Sequence, residues 1–377
     1  MSFENSKTRM FKLAIALALG LSLISVGTTG VHAAPSCSPA GTTGLTTLLI
    51  AHSDQDIKDK TINAAGCDVG VYVPPGSKHV MIRGNDLSGA GIHGIFVQDS
   101  SHITIRDNNV HDNSAGVPKV SCDFVKEGPC LAEGKAIQLD GTSDSIIARN
   151  TITNDQFGGI SIADDGQVDP GALNPGNLSP ANHNIVIGNT ITKVAHDCGI
   201  VVAVYNDKNI AEDNLILNNN VEGSLPPFGR NPYVGQIVVA TDGPGATIRD
   251  TFVFHNVVNG STLPGIVVHS NAPGDSISRT VIINNELGNN GYYPPFFSTP
   301  STPVAADGTT GISIVAEAAS GMTNPPTISE TVLINNSVTP DQIGVWLCNT
   351  SGTLLINTPS HDSAVTSPVV KCASGGS

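Results

Sequence analysis

The stretch Gly94–Asn113, GIFVQDSSHITIRDNNVHDN, decides how the chain is read, because a shortened version of it returns down most of the sequence. It holds a Gly-apolar-x-apolar strand, a small polar turn, a second alternating strand, an Asn corner and one more apolar residue. Written as an Asn with an apolar residue two places later, the corner recurs as Asn85/Leu87, Asn108/Val110, Asn150/Ile152, Asn189/Ile191, Asn214/Ile216, Asn256/Val258, Asn285/Leu287 and Asn336/Val338. The short strand returns between them, as in Ile95-Phe96-Val97, Ile137-Gln138-Leu139, Ile160-Ser161-Ile162 and Ile312-Ser313-Ile314. Repetition of this kind is the mark of a solenoid.

The shortest step between corners, Asn85 to Asn108, is 23 residues long and carries no helical periodicity. Three strands of about four to five residues and three corners fit that length. Coils stacked about 4.8 Å apart bury their inward residues against the coils above and below, which no single coil can do alone. An Asn at the corner tolerates left-handed backbone, and its amide can bond to the next Asn in the stack. The pattern resembles the right-handed parallel β-helix family, the pectate-lyase-like superfamily, over residues 57 to 356. That resemblance implies an all-β, single-domain solenoid with long loops on one corner and capped ends. It also implies a function among lyases, hydrolases, epimerases, tailspikes and proteins of unknown role.

At the N-terminus, Lys7, Arg9 and Lys12 precede the apolar run Leu13 to Ile24 and then Val31-His32-Ala33. This is the order of a secretory signal peptide over residues 1–33, cleaved near Ala33, and predicts a secreted or extracellular protein. No later segment holds an apolar run long enough to cross a bilayer, so no membrane insertion is expected. Residues 34–56 read as a leader, 57–356 as the β-helix and 357–377 as a C-terminal tail rich in Ser, Pro and Gly. With 18 basic against 32 acidic residues, nucleic acid is not an expected partner, since that affinity rests on basic residues meeting phosphates. A polysaccharide is the expected partner and a monomer the expected state.

All seven cysteines follow the signal peptide, none at C-x-x-C spacing, so bridges are expected rather than a zinc site. The expected pairs are Cys37 with Cys67, Cys122 with Cys130 and Cys348 with Cys372, leaving Cys198 as a small buried residue.

Insertions are uneven. From corner Asn to the next short strand most coils take 9 to 11 residues, but Asn108 to Ile137, Asn214 to Ile237 and Asn285 to Ile312 take 29, 23 and 27. Loops of that length in a compact fold are usually functional, and these three should leave from one corner. Six of the chain's few aromatic residues sit in the second and third loops, where Tyr233, Tyr292 and Tyr293 are candidate sugar-stacking rings. The alternative is a local mini-core against the helix side.

Because the short strands form a ladder, outward residues at one offset become vertical columns. One cluster is mixed (His93, Glu133, Lys135, His196 and Asp197) and suits proton abstraction beside a uronate carboxyl. The other is acidic (Asp99, Asp140, Asp164 and Asp165) and suits Ca²⁺ binding or an acid and base for glycoside hydrolysis. The candidate catalytic residues are therefore His93, Lys135, Asp140 and His196. Gln98 and Gln138 join the tyrosines as candidate substrate contacts, and Asp99, Asp164 and Asp165 are candidate metal ligands. Lys135 and Asp140 are expected to point outward, where replacement leaves stability unchanged. Of the signatures of polygalacturonase-like hydrolases, only the Asp164-Asp165 pair has a counterpart. The arginines that resemble a pectate-lyase base (Arg83, Arg106 and Arg149) precede the corner Asn, away from these columns.

Two functional readings stand. One is a secreted polysaccharide lyase or glycoside hydrolase working in a groove along the short-strand face. The other is a non-catalytic β-helix that binds carbohydrate or serves as a cell-surface scaffold.

Overall fold

Ile95, Ile137, Ile160, Ile200, Ile237, Ile266 and Ile312 lie in direct register on successive parallel strands, each fully buried over the one below. This column belongs to a 12-stranded sheet, here sheet I, which runs from Ser38–Pro39 to Ser367–Lys371. Two further sheets complete the coil: sheet II of 10 strands, from Asp56–Lys58 to Leu354–Ile356, and sheet III of 9, from Thr61–Asn63 to Ser337–Val338. Every described pairing is parallel except that of Ser38–Pro39 with Thr46–Ile50, which folds the first strand back over the stack. The chain is an all-β parallel β-helix with one continuous apolar core. The computed structural model describes residues 36–41, 43–116, 134–164, 179–195, 198–223, 235–261, 264–290, 310–317, 322–339, 341, 343–358 and 367–372.

The corner works differently from the sequence expectation. The ladder asparagines do not take the left-handed conformation. The residue before each one does, as at Asp107 (φ 57°), Arg149 (φ 52°), His255 (φ 53°) and Asn284 (φ 52°). That turn lets the Asn side chain point inward, where Asn108, Asn150, Asn189, Asn256, Asn285 and Asn336 are all buried. One rung is also corrected. The ladder runs from Asn189 through Asn219, not Asn214, to Asn256. Asn214 instead sits one corner earlier and accepts the Asn184 N–H at 3.0 Å. That corner, before sheet II, is filled lower in the stack by Ser145 and Asn184, and from Ile210–Glu212 onward a fourth strand opens a 5-stranded sheet IV ahead of it.

At Gly94, before the first inward Ile, glycine is a steric requirement, although Ala136 and Gln236 hold the same place in other coils. A Cβ on Gly94 would lie 2.6 Å from the Ala136 carbonyl oxygen and 2.9 Å from a Val110 methyl. The stack extends beyond 57–356 at both ends, since Thr46–Ile50 pairs with Val69–Val73 and Ser367–Lys371 pairs with Ile343–Cys348. Disulfides Cys37–Cys67 and Cys348–Cys372 tie these ends down. Cys122 and Cys130 lie outside the described residues. Cys198 is buried beside Val201, Ala203 and Val238. The three long insertions each join a strand of sheet III to a strand of sheet I, so they do share a corner. No helix among the described residues is long and apolar enough to cross a membrane.

The outer faces of the sheets differ. The strands of sheet I from Val69–Val73 to Ile343–Cys348 are buried on both sides. Sheet II buries only its central residue per strand, and from Ile146 onward the two flanking residues are almost all large and apolar: Ile185/Ile187, Leu215/Leu217, Phe252/Phe254, Val281/Ile283, Val332/Ile334 and Leu354/Ile356.

Candidate functional site

The outer face of sheet I carries three apolar patches with buried polar side chains between them, among them His269 and Ser313 between the middle and the top. Tyr72 and Phe96 pack with Ala40, Leu45 and Val69 at the bottom, Val201, Val238 and Val267 lie in the middle, and Trp346 packs with Val315 and Ile343 at the top. Between the first two, the strands His93–Gln98, Lys135–Asp140 and Gly158–Ala163 bring together the buried polar side chains of His93, Gln98, Lys135, Gln138, Asp140 and Ser161.

Register brings the sequence candidates together here. Lys135 pairs with His93 below and Gly158 above, and Asp140 pairs with Gln98. The Lys135 backbone N–H donates to His93 Nδ1 at 3.3 Å, and the His93 ring stacks on Phe96 with centroids 5.0 Å apart. The aliphatic part of Lys135 lies over Gly158, where an added Cβ would come within 2.6 Å of it, and its ammonium sits 5.3 Å from the Phe157 ring centroid. At the other end of the strands the Gln138 amide donates to Asp140, and the Tyr72 hydroxyl donates to Gln98 Oε1 at 3.0 Å.

The expectation that Lys135 and Asp140 stand exposed does not hold. Both point off the outward face, yet each is only 1% exposed, and His93 is fully buried. Alternation of residues along a strand fixes the face and says nothing of what lies over it. The Gln138 Oε1 and Ser161 Oγ atoms, neighbours across the ladder, are buried with no hydrogen-bond partner among the described residues.

Asp155 was missed by the sequence reading. It occupies the corner before sheet I, is fully buried, and its carboxyl is pushed up to about 7. Burial is the main cause. The Ser114 hydroxyl and the Phe157 N–H, which donates at 3.2 Å, pull the other way, as do the nearby His93 and Lys135. The signal that finds it is its corner position, filled elsewhere by Asn113, Asn290 and Asp341, all buried.

The metal candidates do not form a described site. Asp164 spends its carboxylate on the Tyr205 N–H (2.7 Å), the Asn206 N–H (2.9 Å) and the Asn209 amide (3.1 Å), so it staples one coil to the next. Burial raises its pKa in spite of these bonds. Asp99 sits at the turn against Gly141, and among the described residues no three His, Cys, Asp or Glu side chains converge as metal ligands. Asp165, His196, Tyr233, Tyr292 and Tyr293 lie outside the described residues, as do Glu133 and Asp197.

The family described as "Right handed beta helix region" matches residues 36–169. No curated protein sequence matches the chain. Among solved structures, the A-module of the Azotobacter vinelandii mannuronan C-5 epimerase AlgE6 is similar at 12% identity and a TM-score of 0.42, over 87% of this chain and 74% of that one. A PL6 alginate lyase in complex with a trisaccharide is similar at 12% identity and a TM-score of 0.31, over 81% and 79%. The catalytic domain of a GH87 alpha-1,3-glucanase in complex with nigerose is similar at 14% identity and a TM-score of 0.31, over 88% and 63%.

Proposed function

We propose that the chain is an exported carbohydrate-active protein, a lyase or hydrolase, that acts on a polysaccharide at the polar patch of sheet I. The observation that carries this reading is the meeting of His93, Lys135 and Asp155 on strands that also hold Gln138 Oε1 and Ser161 Oγ, buried atoms without a partner among the described residues. A carboxyl held near neutrality can give or take a proton at physiological pH, which is the requirement for general acid–base work. Lys135 supplies a fixed positive charge for an acidic sugar or a developing oxyanion. Gln138 Oε1 and Ser161 Oγ can accept or exchange hydrogen bonds with sugar hydroxyls, since leaving such groups buried and unmatched costs about 1–3 kcal/mol each. The two end disulfides suit an oxidising compartment, which supports export.

The burial of His93, Lys135 and Asp140 supports the second reading, a β-helix without catalysis that binds carbohydrate or serves as a scaffold. One assay separates the two. The purified protein is incubated with uronate and neutral polysaccharides, following unsaturated products by ultraviolet absorbance and new reducing ends chemically. Product from any one polymer establishes the enzyme. Retention on a polymer without product establishes the binding protein. No step of the proposed chemistry passes through a metal ion, and adding Ca²⁺ or a chelator to the same assay tests that point.

A further inference from the structure

Asn113 and Asp155 occupy one corner on neighbouring coils, each five residues after its ladder asparagine, Asn108 or Asn150. Asn290 and Asp341 repeat the arrangement higher in the stack, five residues after Asn285 and Asn336. All four side chains are buried. In the upper pair the two groups are joined: Asp341 Oδ1 accepts the Asn290 N–H at 2.7 Å, and Oδ2 accepts its side-chain amide at 3.2 Å.

In the lower pair they are not. Asp155 Oδ1 accepts the Phe157 N–H at 3.2 Å, Asn113 Oδ1 accepts the Ala90 N–H at 3.0 Å, and the Ser114 hydroxyl donates to the Ile92 carbonyl at 2.7 Å. Asp155 Oδ2 and Asn113 Nδ2 are left buried with no hydrogen-bond partner among the described residues. The asparagine stands in the same place in both pairs, since a Cβ on Gly94 would lie 3.1 Å from Asn113 Nδ2 and one on Gly265 3.1 Å from Asn290 Nδ2. The difference lies in the carboxyl, which in Asp155 is turned away from the amide and toward Phe157, beside the polar patch.

On the reading of Asp155 as the proton-bearing group of that patch, we propose that Asn113 is its positioning residue, whose amide takes up the Asp155 carboxylate when the proton leaves and releases it when the proton returns. That bond satisfies two buried atoms at once, and Asp341 shows that the corner accommodates it. A carboxylate is also the stronger acceptor, so an amide donor within reach favours the ionised form. Both aspartates are pushed up chiefly by burial, and they follow this order: Asp341, bonded to its asparagine, reaches about 6 and Asp155 about 7. Among the described residues the other titratable groups facing Asp155 are His93 and Lys135, and both favour the carboxylate as well.

Carbon-13 NMR of protein labelled at its aspartate carboxyls tests the proposal without a substrate, with Asp155→Asn identifying the Asp155 signal. Nitrogen-15 labelling follows the asparagine amides, and Asn113→Asp, which keeps the acceptor for the Ala90 N–H, identifies that of Asn113. The wild-type Asp155 signal is expected to titrate near pH 7, and the Asn113 amide signals to move with the same midpoint. Asn113→Ala should raise the Asp155 midpoint by about 1 to 2 pH units, as Asn290→Ala should raise that of Asp341, where the bond is already made. If the alanine variant does not fold, the wild-type amide signals decide alone. An Asp155 midpoint unchanged in folded Asn113→Ala, or Asn113 amide signals that ignore the titration, overturns the proposal and leaves the acid–base reading standing. A wild-type Asp155 midpoint at the ordinary value of 3.8 overturns both.

Discussion

Asn108 gives both its backbone N–H (3.0 Å) and its side-chain amide (2.9 Å) to the same oxygen, Oδ1 of Asn150 one coil above. Asn150 repeats this toward Asn189 at 2.9 and 3.0 Å, and its amide also donates to the Ile105 carbonyl at 3.0 Å. The corner is therefore a hydrogen-bonded column, sealed at the top where Asn336 gives its N–H to the Thr358 hydroxyl at 3.0 Å.

Asn150→Leu breaks that column in the middle. It strands the Asn108 N–H and amide and the Ile105 carbonyl in the core, so the expected loss is roughly 3 kcal/mol or more. Urea titration followed by circular dichroism measures it. A loss under about 1 kcal/mol would show that the column is not what fixes the corner.

Gly94→Ala tests the steric requirement. With the Ala136 oxygen 2.6 Å from the new methyl, the strands must separate, and a cost of about 1–3 kcal/mol is expected in the same titration. A neutral result would mean the corner relaxes freely.

Replacing Asp140 or Lys135 by Ala now carries a different expectation from the one their outward direction suggested. Both are buried, and Asp140 accepts the Gln138 amide, so each change should lower the melting temperature by the equivalent of about 1–3 kcal/mol. Melting temperatures equal to wild type would restore the exposed reading.

Stability should fall as pH rises from 5 to 8. Asp155, at about 7, and Asp275 and Asp341, at about 6, hold their protons more tightly folded than unfolded, where the value is 3.8. A carboxyl raised in this way contributes stability that is complete below the unfolded value and lost as pH passes the folded one. His111, raised mainly by its bond to Asp112, acts in the same sense at higher pH. Asp155→Asn should remove the part of the slope nearest pH 7, on the order of 4 kcal/mol across the full window. Thermal melts at several pH values decide it, and an unchanged slope in the variant would contradict the assignment.

The fold was legible because it repeats: Gly94, Ile95 and Asn108 each return at a fixed offset, and their periodicity needs no knowledge of the third dimension. The error at Asn214 arose because the corner before sheet II, which Asn184 and Asn214 fill, carries the same Asn-x-apolar pattern as the ladder corner, so two corners matched one template. The site was only half legible. Register could place His93 below Lys135, but their burial depends on what lies over the face. The corner position that Asp155 shares with Asn113, Asn290 and Asp341 marks it as an inward residue, but not its raised pKa, which comes first from desolvation.

The central claim is that a proton-bearing carboxyl at the patch of His93 and Lys135 acts on a polysaccharide. Its most direct test is the pH dependence of product formation by the wild-type protein and by Asp155→Asn, on whichever polymer the wild type converts. The account predicts a wild-type limb near pH 7 and a variant whose rate is lower by about 10²–10⁴ and lacks that limb, with the fold intact by circular dichroism. A folded Asp155→Asn protein with the wild-type rate and profile would contradict it.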